Sequence, residues 1–107
     1  MIRLATEVWV HAYIERFELQ NIPTYVLAHG DNSAGAVLVK LATLDGQASL
    51  LHRTYDLQSS EQLWSELASG SEAEVDALIT KQRSFDPDLW VVEIESPSGK
   101  HFLENDN

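Results

Sequence analysis

Apolar side chains cover most of a helical wheel between Leu4 and about Gln20 and leave only a narrow polar stripe. The apolar positions are Ala5, Val8, Trp9, Val10, Ala12, Tyr13, Ile14 and Phe17, and the polar stripe consists of Glu7, His11, Glu15 and Glu18. This spacing predicts a helix. Because its apolar arc is so wide, we expect burial against a sheet and also against a second helix or another subunit.

Pro23 ends this helix, because proline disfavours helix in the residue before it and lacks a backbone donor. Three strands are predicted after it. They cover Thr24 to His29, Ala36 to Thr43, and the residues that follow Asp45-Gly46. The Asp45-Gly46 pair predicts a two-residue type I′ hairpin loop. With that loop, the core-facing pairs are Leu41 with Leu50, Val39 with His52, and Val37 with Thr54.

One or two helices and a further strand are predicted in the second half. A short helix is predicted between Leu57 and Gly70, with Ser59 as its cap and Leu63, Trp64 and Leu67 as its apolar side. The run Ser71-Glu72-Ala73-Glu74 matches a capping box, and the helix that it begins has the apolar stripe Val75, Leu78 and Ile79. Leu89 to Glu95 predicts a strand with Trp90, Val92 and Ile94 on one side and Glu93 and Glu95 on the other. Lys100 to Leu103 is a candidate for a short final strand.

The predicted order is helix, three strands, one or two helices, strand. Short connections favour a mostly antiparallel sheet with helices packed on one face, which is the α+β class. A chain of 107 residues suits one domain, so residues 1–107 are expected to form a single core, with 104–107 frayed at the end. Whether the strand after Pro87 joins the sheet at its edge or its centre stays open.

The chain is strongly acidic: 17 Asp and Glu residues against 7 Lys and Arg give a formal charge of −10. Six of these acidic residues, with no basic residue between them, are Asp56, Glu61, Glu66, Glu72, Glu74 and Asp76. Nucleic acids and anionic membranes are bound mainly by clustered Lys and Arg, so neither is an expected partner. Solubility is the simplest reason for the charge, and a basic protein partner is the alternative.

Cysteine is absent, which excludes disulfides, thiolate metal sites and a cysteine nucleophile. The N-terminal residues have Glu7 where a signal peptide needs its apolar stretch, and no apolar run approaches the ~18 residues of a membrane span. We therefore expect a cytoplasmic protein.

Glu7, His11 and Glu15 follow one another at four-residue steps on the first helix and are the candidate metal ligands. Carboxylates and an imidazole at this spacing share one face, but any solvated stripe has the same spacing. Because the sequence supplies neither a fourth ligand nor an orienting partner, we predict no metal site and no cofactor.

His52 and the corner from Arg83 to Trp90 are the candidate binding residues. An imidazole aimed into a cleft could act as a base, although buried polar groups are usually paired for structure. At the corner, Arg83 could pair with Asp86 or Asp88, and Phe85 or Trp90 would anchor the turn in the core. A structural role is the simpler interpretation, and the functional alternative is a binding surface formed by Arg83, Asp86, Asp88 and His52.

The loop from His29 to Gly35 has neither a nucleophile elbow nor a phosphate-binding glycine pattern, so no catalytic residue is predicted.

Several segments resemble the domain-of-unknown-function 1491 family of alphaproteobacterial proteins. They are residues 4–10, 34–41, 72–76 and 85–93, which read LATEVWV, AGAVLVKL, EAEVD and FDPDLWVVE. The resemblance spans nearly the whole chain. It implies a bacterial cytoplasmic protein of one domain, and it brings no activity, cofactor or catalytic residue with it.

Two functions from different classes fit these observations. The first is a non-enzymatic binding or assembly module that forms a homodimer, because a helix that is apolar on most sides often buries its surplus face across a two-fold axis. The second is a divergent nuclease, since the predicted element order matches the restriction-endonuclease-like core. That core needs an acidic residue two places before its lysine, but Leu38 precedes Lys40, so Asp31 alone remains as a ligand and the metal site is incomplete.

Overall fold

The computed structural model describes residues 4–56, 58 and 61–103. The elements in chain order are α1 (Thr6–Glu18), β1 (Thr24–Ala28), β2 (Val37–Ala42), β3 (Gln47–Asp56), β4 (Glu61–Ser71), α2 (Glu72–Phe85) and β5 (Trp90–Glu95). The strands form one five-stranded sheet in the order β1-β5-β2-β3-β4. Only the β2–β5 pair is parallel. The predicted α+β class with a mostly antiparallel sheet is therefore confirmed.

The last strand, β5, lies in the interior of the sheet, between β1 and β2. Its first three residues are all apolar, a pattern that suits a strand covered on both faces. Val91 and Val92 point to opposite faces, and both are fully buried. The predicted alternation of Trp90, Val92 and Ile94 against Glu93 and Glu95 is confirmed by the two core clusters.

The two helices cover opposite faces of the sheet. Val37, Val39 and Leu41 pack with Val10, Tyr13 and Phe17 of α1. Leu38 packs with Val75 and Ile79 of α2. Since neighbouring residues of a strand point to opposite faces, the expectation that both helices pack on one face is wrong. All six residues of β2 are buried, so each of its faces needs a helical cover.

The β2–β3 hairpin has a longer loop than predicted, and its register is shifted by one residue. Ala42 pairs with Ala48, and positive φ angles occur at Leu44 (63°) and Gly46 (87°). The Asp45 carboxylate closes the loop by accepting hydrogen bonds from Thr43 Oγ1 (2.6 Å) and the Gln47 amide (3.1 Å). The two-residue type I′ loop is therefore wrong. As a consequence, His52 pairs with Leu38 rather than Val39 and lies on the face covered by α2.

The segment predicted as a short helix is the edge strand β4. It pairs antiparallel with β3 from Gln47–Ser71 to Asp56–Glu61, with an irregularity beside Leu50. The proposed cap, Ser59, lies outside the described residues. The spacing of Leu63, Trp64 and Leu67 suited a helix, but pairing along a long hairpin overrides such local preferences. Residues 100–103 form no strand, although Leu103 is buried in the core, and residues 104–107 lie outside the described part.

The capping box at the start of α2 is confirmed. The Glu74 amide donates to Ser71 Oγ (3.2 Å), and the Ser71 amide donates to Glu74 Oε1 (3.2 Å). This pair satisfies two backbone donors that a helix N-terminus otherwise leaves without partners. Within the described residues, no helix is long and apolar enough to cross a membrane.

Candidate functional site

A cavity of about 630 Å³ opens where the pairing between β2 and β3 ends. The last paired residues there are Leu38 and His52, beyond which the β3–β4 hairpin continues without β2. The gap is closed by the start of α1, the loop before β2 and the end of α2. Because residues from both faces of the sheet line it, the cavity runs around the end of β2 from one face to the other.

Two glycines hold the loop before β2 against the corner that follows α2. A Cβ atom on Gly30 would lie 2.1 Å from the Asp88 carbonyl oxygen, and one on Gly35 would lie 2.5 Å from it. The Asp31 amide donates to the same oxygen (3.0 Å), and Trp90 Nε1 donates to the Asp31 carbonyl (2.8 Å). Only residues without a side chain allow backbones to approach so closely, so these glycines fix one wall of the cavity.

The start of α1 is fixed by the same loop. The Thr6 hydroxyl donates to the Gly35 carbonyl (2.8 Å), while the amides of Thr6 and Glu7 donate to the carbonyls of Ser33 (3.2 Å) and Asn32 (2.9 Å). Backbone donors that α1 leaves free at its N-terminus are therefore satisfied. This contact brings Trp9 to the cavity wall.

The Arg53 side chain lines the cavity. Its guanidinium carbon lies 5.3 Å from the Trp9 ring and 5.2 Å from the Trp64 ring, and the two indoles are stacked with centroids 5.5 Å apart. Arg53 Nη1 also donates to Gln62 Oε1 (3.0 Å). A guanidinium held by two indole faces and an amide is oriented before any ligand arrives.

His52, Gln82 and Asp86 also line the cavity. Asp86 Oδ1 accepts from the Asp88 amide (3.0 Å), which leaves the second carboxylate oxygen available. Within residues 4–56, 58 and 61–103, no hydrogen bond engages the His52 ring or the Gln82 side-chain amide. These groups can therefore bind a ligand without losing a partner in the protein.

The cavity is lined by two of the four candidate binding residues, His52 and Asp86. Arg83 and Asp88 are exposed and do not line it. The predicted pairing of Arg83 with Asp86 or Asp88 is wrong for the described structure, because Asp86 instead binds the Asp88 backbone. Trp90 anchors the corner in the core as expected, whereas Phe85 is exposed.

Arg53, Gln62 and Gln82 were missed as site residues. Arg53 and Gln62 meet only because β3 pairs with β4, a pairing that the helix predicted for this segment concealed. For Gln82, no local pattern could reveal that the last turn of α2 faces the end of β2.

The candidate metal ligands on α1 do not form a metal site. His11 and Glu15 border a shallow depression of about 310 Å³, which Glu7 does not reach. Across the described ranges, no three His, Cys, Asp or Glu residues are placed to hold a metal ion.

Lys40 forms a second polar cluster, between the sheet and α2. Its ammonium lies 2.7 Å from Asp76, 2.9 Å from Glu93 and 3.0 Å from Glu72. Burial opposes the charged form, but the hydrogen bonds that the ammonium donates to Asp76, Glu93 and Glu72 outweigh it and raise the pKa of Lys40 above its ordinary value. Glu72 and Asp76 belong to the acidic run noted in the sequence, so part of that run serves an internal contact.

The nuclease alternative gains no catalytic set from this geometry. A nuclease lysine must face the attacking water beside the metal, whereas Lys40 is 3% exposed and bound to three carboxylates. Asp31 uses its carboxylate to accept the amides of Ser33 (3.1 Å) and Ala34 (2.9 Å).

Comparison with known proteins identifies relatives across nearly the whole chain. The crystal structure of a DUF1491 family protein from Caulobacter crescentus CB15 is 39% identical, with 96% of this chain and 97% of that chain covered and a TM-score of 0.88. An NMR structure of a DUF1491 family protein from the same organism is 37% identical, with 98% and 96% covered and a TM-score of 0.84. The solution structure of protein Atu0922 from A. tumefaciens is 31% identical, with 89% and 87% covered and a TM-score of 0.74.

A search of the curated proteins finds no match. A family model described as "Protein of unknown function (DUF1491)" matches residues 4–104. The solved relatives come from alphaproteobacteria, in agreement with the resemblance seen in the sequence. The chain therefore belongs to the DUF1491 family.

Proposed function

We propose that this protein is a non-enzymatic binding module that takes a small molecule into the cavity at the end of β2. The observation that carries the proposal is the cavity itself. Its volume of about 630 Å³ lies within the range of small-molecule sites, roughly 300–1,000 Å³. Apolar side chains such as Leu38 and Leu89 line it together with a similar share of polar side chains, so the cavity offers a ligand both apolar contact and hydrogen bonds.

The polar groups of the cavity suit binding better than catalysis. The Thr6 hydroxyl, which lines the cavity, donates to a backbone carbonyl rather than to a base. Within the described part of the chain, no hydroxyl forms a hydrogen bond with the His52 ring. Nucleophilic catalysis needs such a pair, so the proposal assigns His52 to ligand binding.

A ligand screen tests the proposal. Purified protein is screened by thermal shift against small metabolites of varied charge, and each hit is located by backbone amide NMR. A specific ligand should raise the melting temperature and shift the amide signals of Leu38, His52 and Asp86. Hits whose signals all lie elsewhere, or no hit at all, would contradict a binding site here.

A matched pair of variants ties binding to the cavity. Ala36 lines the cavity and is exposed, so Ala36→Phe should fill it without entering the core. Ala73 is exposed near the start of α2 and does not line the cavity, so Ala73→Phe adds the same ring elsewhere. We expect Ala36→Phe to abolish binding while Ala73→Phe retains it. Equal affinities for the two variants would place the ligand outside the cavity.

Assembly into a homodimer is a second candidate function. It is favoured by the outer side of α1, where Val8 (50% exposed) and Ala12 lie one turn apart, and by Leu4 (60% exposed), which comes just before the helix. The opposite side of α1 packs on the sheet. An apolar row of this kind suits burial against the same row of a second copy.

Native mass spectrometry at high micromolar concentration tests the dimer. We expect the unmodified chain to be dimeric and Val8→Glu to be monomeric. Thr80→Glu, which places the same charge on the exposed side of α2, should stay dimeric. A monomeric unmodified chain would eliminate the assembly function without affecting the cavity.

A further inference from the structure

We propose that the outer edge of β1 binds an extended peptide segment of a partner protein, which adds one strand to the sheet and places a lysine or arginine opposite Tyr25. This inference goes beyond the proposed function, because no residue of β1 lines the cavity. β1 lies at one edge of the sheet, and its neighbour among the described strands is β5. An edge strand presents backbone donors and acceptors with which an extended chain can pair.

The backbone groups of Thr24 and Val26 point away from β5. The Glu95 amide donates to the Pro23 carbonyl (2.9 Å), so Pro23 and Tyr25 direct their backbone groups towards β5. Thr24 and Val26 alternate with them, and each presents one N–H and one C=O at the outer edge. Within the described ranges, no hydrogen bond reaches these outer groups. The missing N–H of Pro23 lies on the β5 side and therefore does not interrupt the outer edge.

The edge lacks the charged residues that usually protect an edge strand. Residues 19–30, which include β1, form the longest stretch of the chain without Asp, Glu, Lys or Arg. At the opposite edge of the sheet, β4 carries Glu61 and Glu66. Three consecutive large side chains of β1 are exposed: Tyr25 (48%), Val26 (44%) and Leu27 (45%). Because natural proteins rarely leave such an edge unprotected, β1 is suited to pairing with another chain.

A carboxylate lies beside this edge on the face that α2 covers. The Tyr25 hydroxyl donates to Glu95 Oε1 (3.3 Å), and Tyr25 pairs across the strands with Glu93, which binds Lys40 on that face. Glu95 is partly exposed, and in the described part of the chain no Lys or Arg forms an ion pair with it. Glu95 is also the main cause of a raised pKa for Tyr25, so its negative potential extends to the edge.

The two faces of the edge define the side chains of the partner segment. A residue opposite Tyr25 lies on the same face as Glu95, so a long cationic side chain there can cross the phenol ring and meet the carboxylate. The residues on either side of it pair with Thr24 and Val26 on the α1 face, where the exposed Val26 side chain favours apolar partners. The segment therefore alternates apolar and polar side chains around one central cation.

A second copy of the chain suits this edge less well. Pairing β1 with β1 would bring two Tyr25–Glu95 pairs together and supply no cation for either. Each chain also carries a formal charge of −10, which opposes self-association and favours a basic partner.

A matched set of capped peptides tests the charge of the partner segment. The reference peptide is Val-Thr-Val-Lys-Val-Thr-Val, whose lysine can lie opposite Tyr25 while the adjacent valines pair with Thr24 and Val26. Two further peptides replace the lysine with glutamine or glutamate. By NMR titration, we expect the lysine peptide to bind about fivefold more tightly than the glutamate peptide, with the glutamine peptide between them. The difference should shrink at about 1 M salt, because exposed charges are screened.

N-methylated peptides test the backbone pairing. Methylation of the two valines beside the lysine removes the N–H groups that would donate to the carbonyls of Thr24 and Val26, so it should abolish binding. Methylation of the two threonines, whose N–H groups point away from β1, should leave binding intact. The two peptides carry the same number of methyl groups, so each is a control for the other.

Backbone amide NMR and one pair of variants locate the bound peptide. The Thr24 and Val26 amides should exchange more slowly with solvent, whereas the Tyr25 amide, which already faces β5, should change little. Glu95→Gln retains an acceptor for the Tyr25 hydroxyl and should remove the preference for lysine. Glu66→Gln makes the same change at an exposed position on β4 and should retain the preference.

Several results would overturn the inference. They are the absence of binding by every peptide, equal affinities for the lysine and glutamate peptides, and amide shifts at Leu38 and His52 in place of Thr24 and Val26. Protection of the Thr24 and Val26 amides that grows with protein concentration alone would assign the edge to a second copy and would also overturn it. The ligand screen tests the cavity separately, so either proposal can fail without the other.

Discussion

The Lys40 ammonium lies 2.9 Å from the Glu93 carboxylate, and the two residues occupy paired positions on the parallel strands β2 and β5. Asp76 and Glu72 of α2 bind the same ammonium from above the sheet. One buried cation therefore joins β2 and β5 to the helix that covers them. Lys40 is the only charged residue among the buried residues of the described chain.

Replacing Lys40 with methionine should destabilise the fold by about 3 kcal/mol, because it leaves the less exposed Glu93 carboxylate without its cation. Chemical denaturation at neutral pH measures this change in the free energy of unfolding. Lys81→Met, on the exposed side of α2, should cost less than about 0.5 kcal/mol. Adding Glu93→Leu to Lys40→Met should recover part of the loss, and a Lys40→Met protein of unchanged stability would show that the cluster contributes little.

Stability should fall at strongly alkaline pH in a way that depends on Lys40. The carboxylates raise the pKa of Lys40 in the folded protein above its value in the unfolded chain. The contribution of the ion pairs to stability is therefore complete below the pKa of lysine in the unfolded chain, about 10.4. It is lost as the pH rises towards the higher pKa of Lys40 in the folded protein. Urea midpoints on both sides of about pH 10.4 should decline more steeply for the unmodified chain than for Lys40→Met. Parallel declines would indicate that other groups cause the alkaline loss.

Gly30→Ala should destabilise the protein by about 2 kcal/mol or more, since its Cβ would clash with the Asp88 carbonyl oxygen. Both backbones are held there by hydrogen bonds, so neither can move away freely. Gly70→Ala is the comparison variant, because its nearest neighbour is a side-chain atom, Oε1 of the capping-box residue Glu74 at 3.2 Å, which need move only slightly. Thermal unfolding should separate the two variants by several degrees, and equal melting temperatures would argue against close packing of this loop.

Ser71→Ala should cost about 1 kcal/mol, the usual effect of removing an N-terminal cap. Hydrogen bonds from the Ser71 backbone and hydroxyl lower the pKa of Glu74, so this contribution is present above the unfolded pKa and is lost as the pH falls. The difference between the unmodified chain and Ser71→Ala should therefore shrink between about pH 6 and pH 3. Ser84→Ala, at the other end of α2, should show no such pH dependence. A difference that stays constant with pH would mean that Glu74 takes no part in the cap.

Local signals in the sequence predicted those parts of the fold that local interactions determine. The helix α1, the capping box at Ser71 and the alternation along β5 depend on spacing within one element, and all three are confirmed. The register of the β2–β3 hairpin depends instead on the hydrogen bonds by which the Asp45 carboxylate closes the loop. The Asp-Gly pair in the sequence does not specify these bonds. The identity of β4 depends on its partner β3 and could not be read from its own residues.

The candidate site was harder to predict for the same reason. Its charged lining residues, Arg53 and Asp86, lie far apart in the sequence and come to the same cavity only through the sheet topology. His52 and Asp86 stood out because of their residue types. Arg53 did not, because its importance comes from Trp9, Trp64 and Gln62, which surround it only in the folded chain.

The interior position of β5 has a consequence for synthesis of the chain. β1 is the first of the described strands to be made, yet its neighbour among those strands is β5, the last of them. During synthesis, β1 therefore stays unpaired until β5 has been made. The strands β2, β3 and β4 can pair with one another before that. The sheet can be completed only after β5 has been made, and nascent chains that stop before Trp90 should expose the surfaces of both α1 and β2 to chaperones.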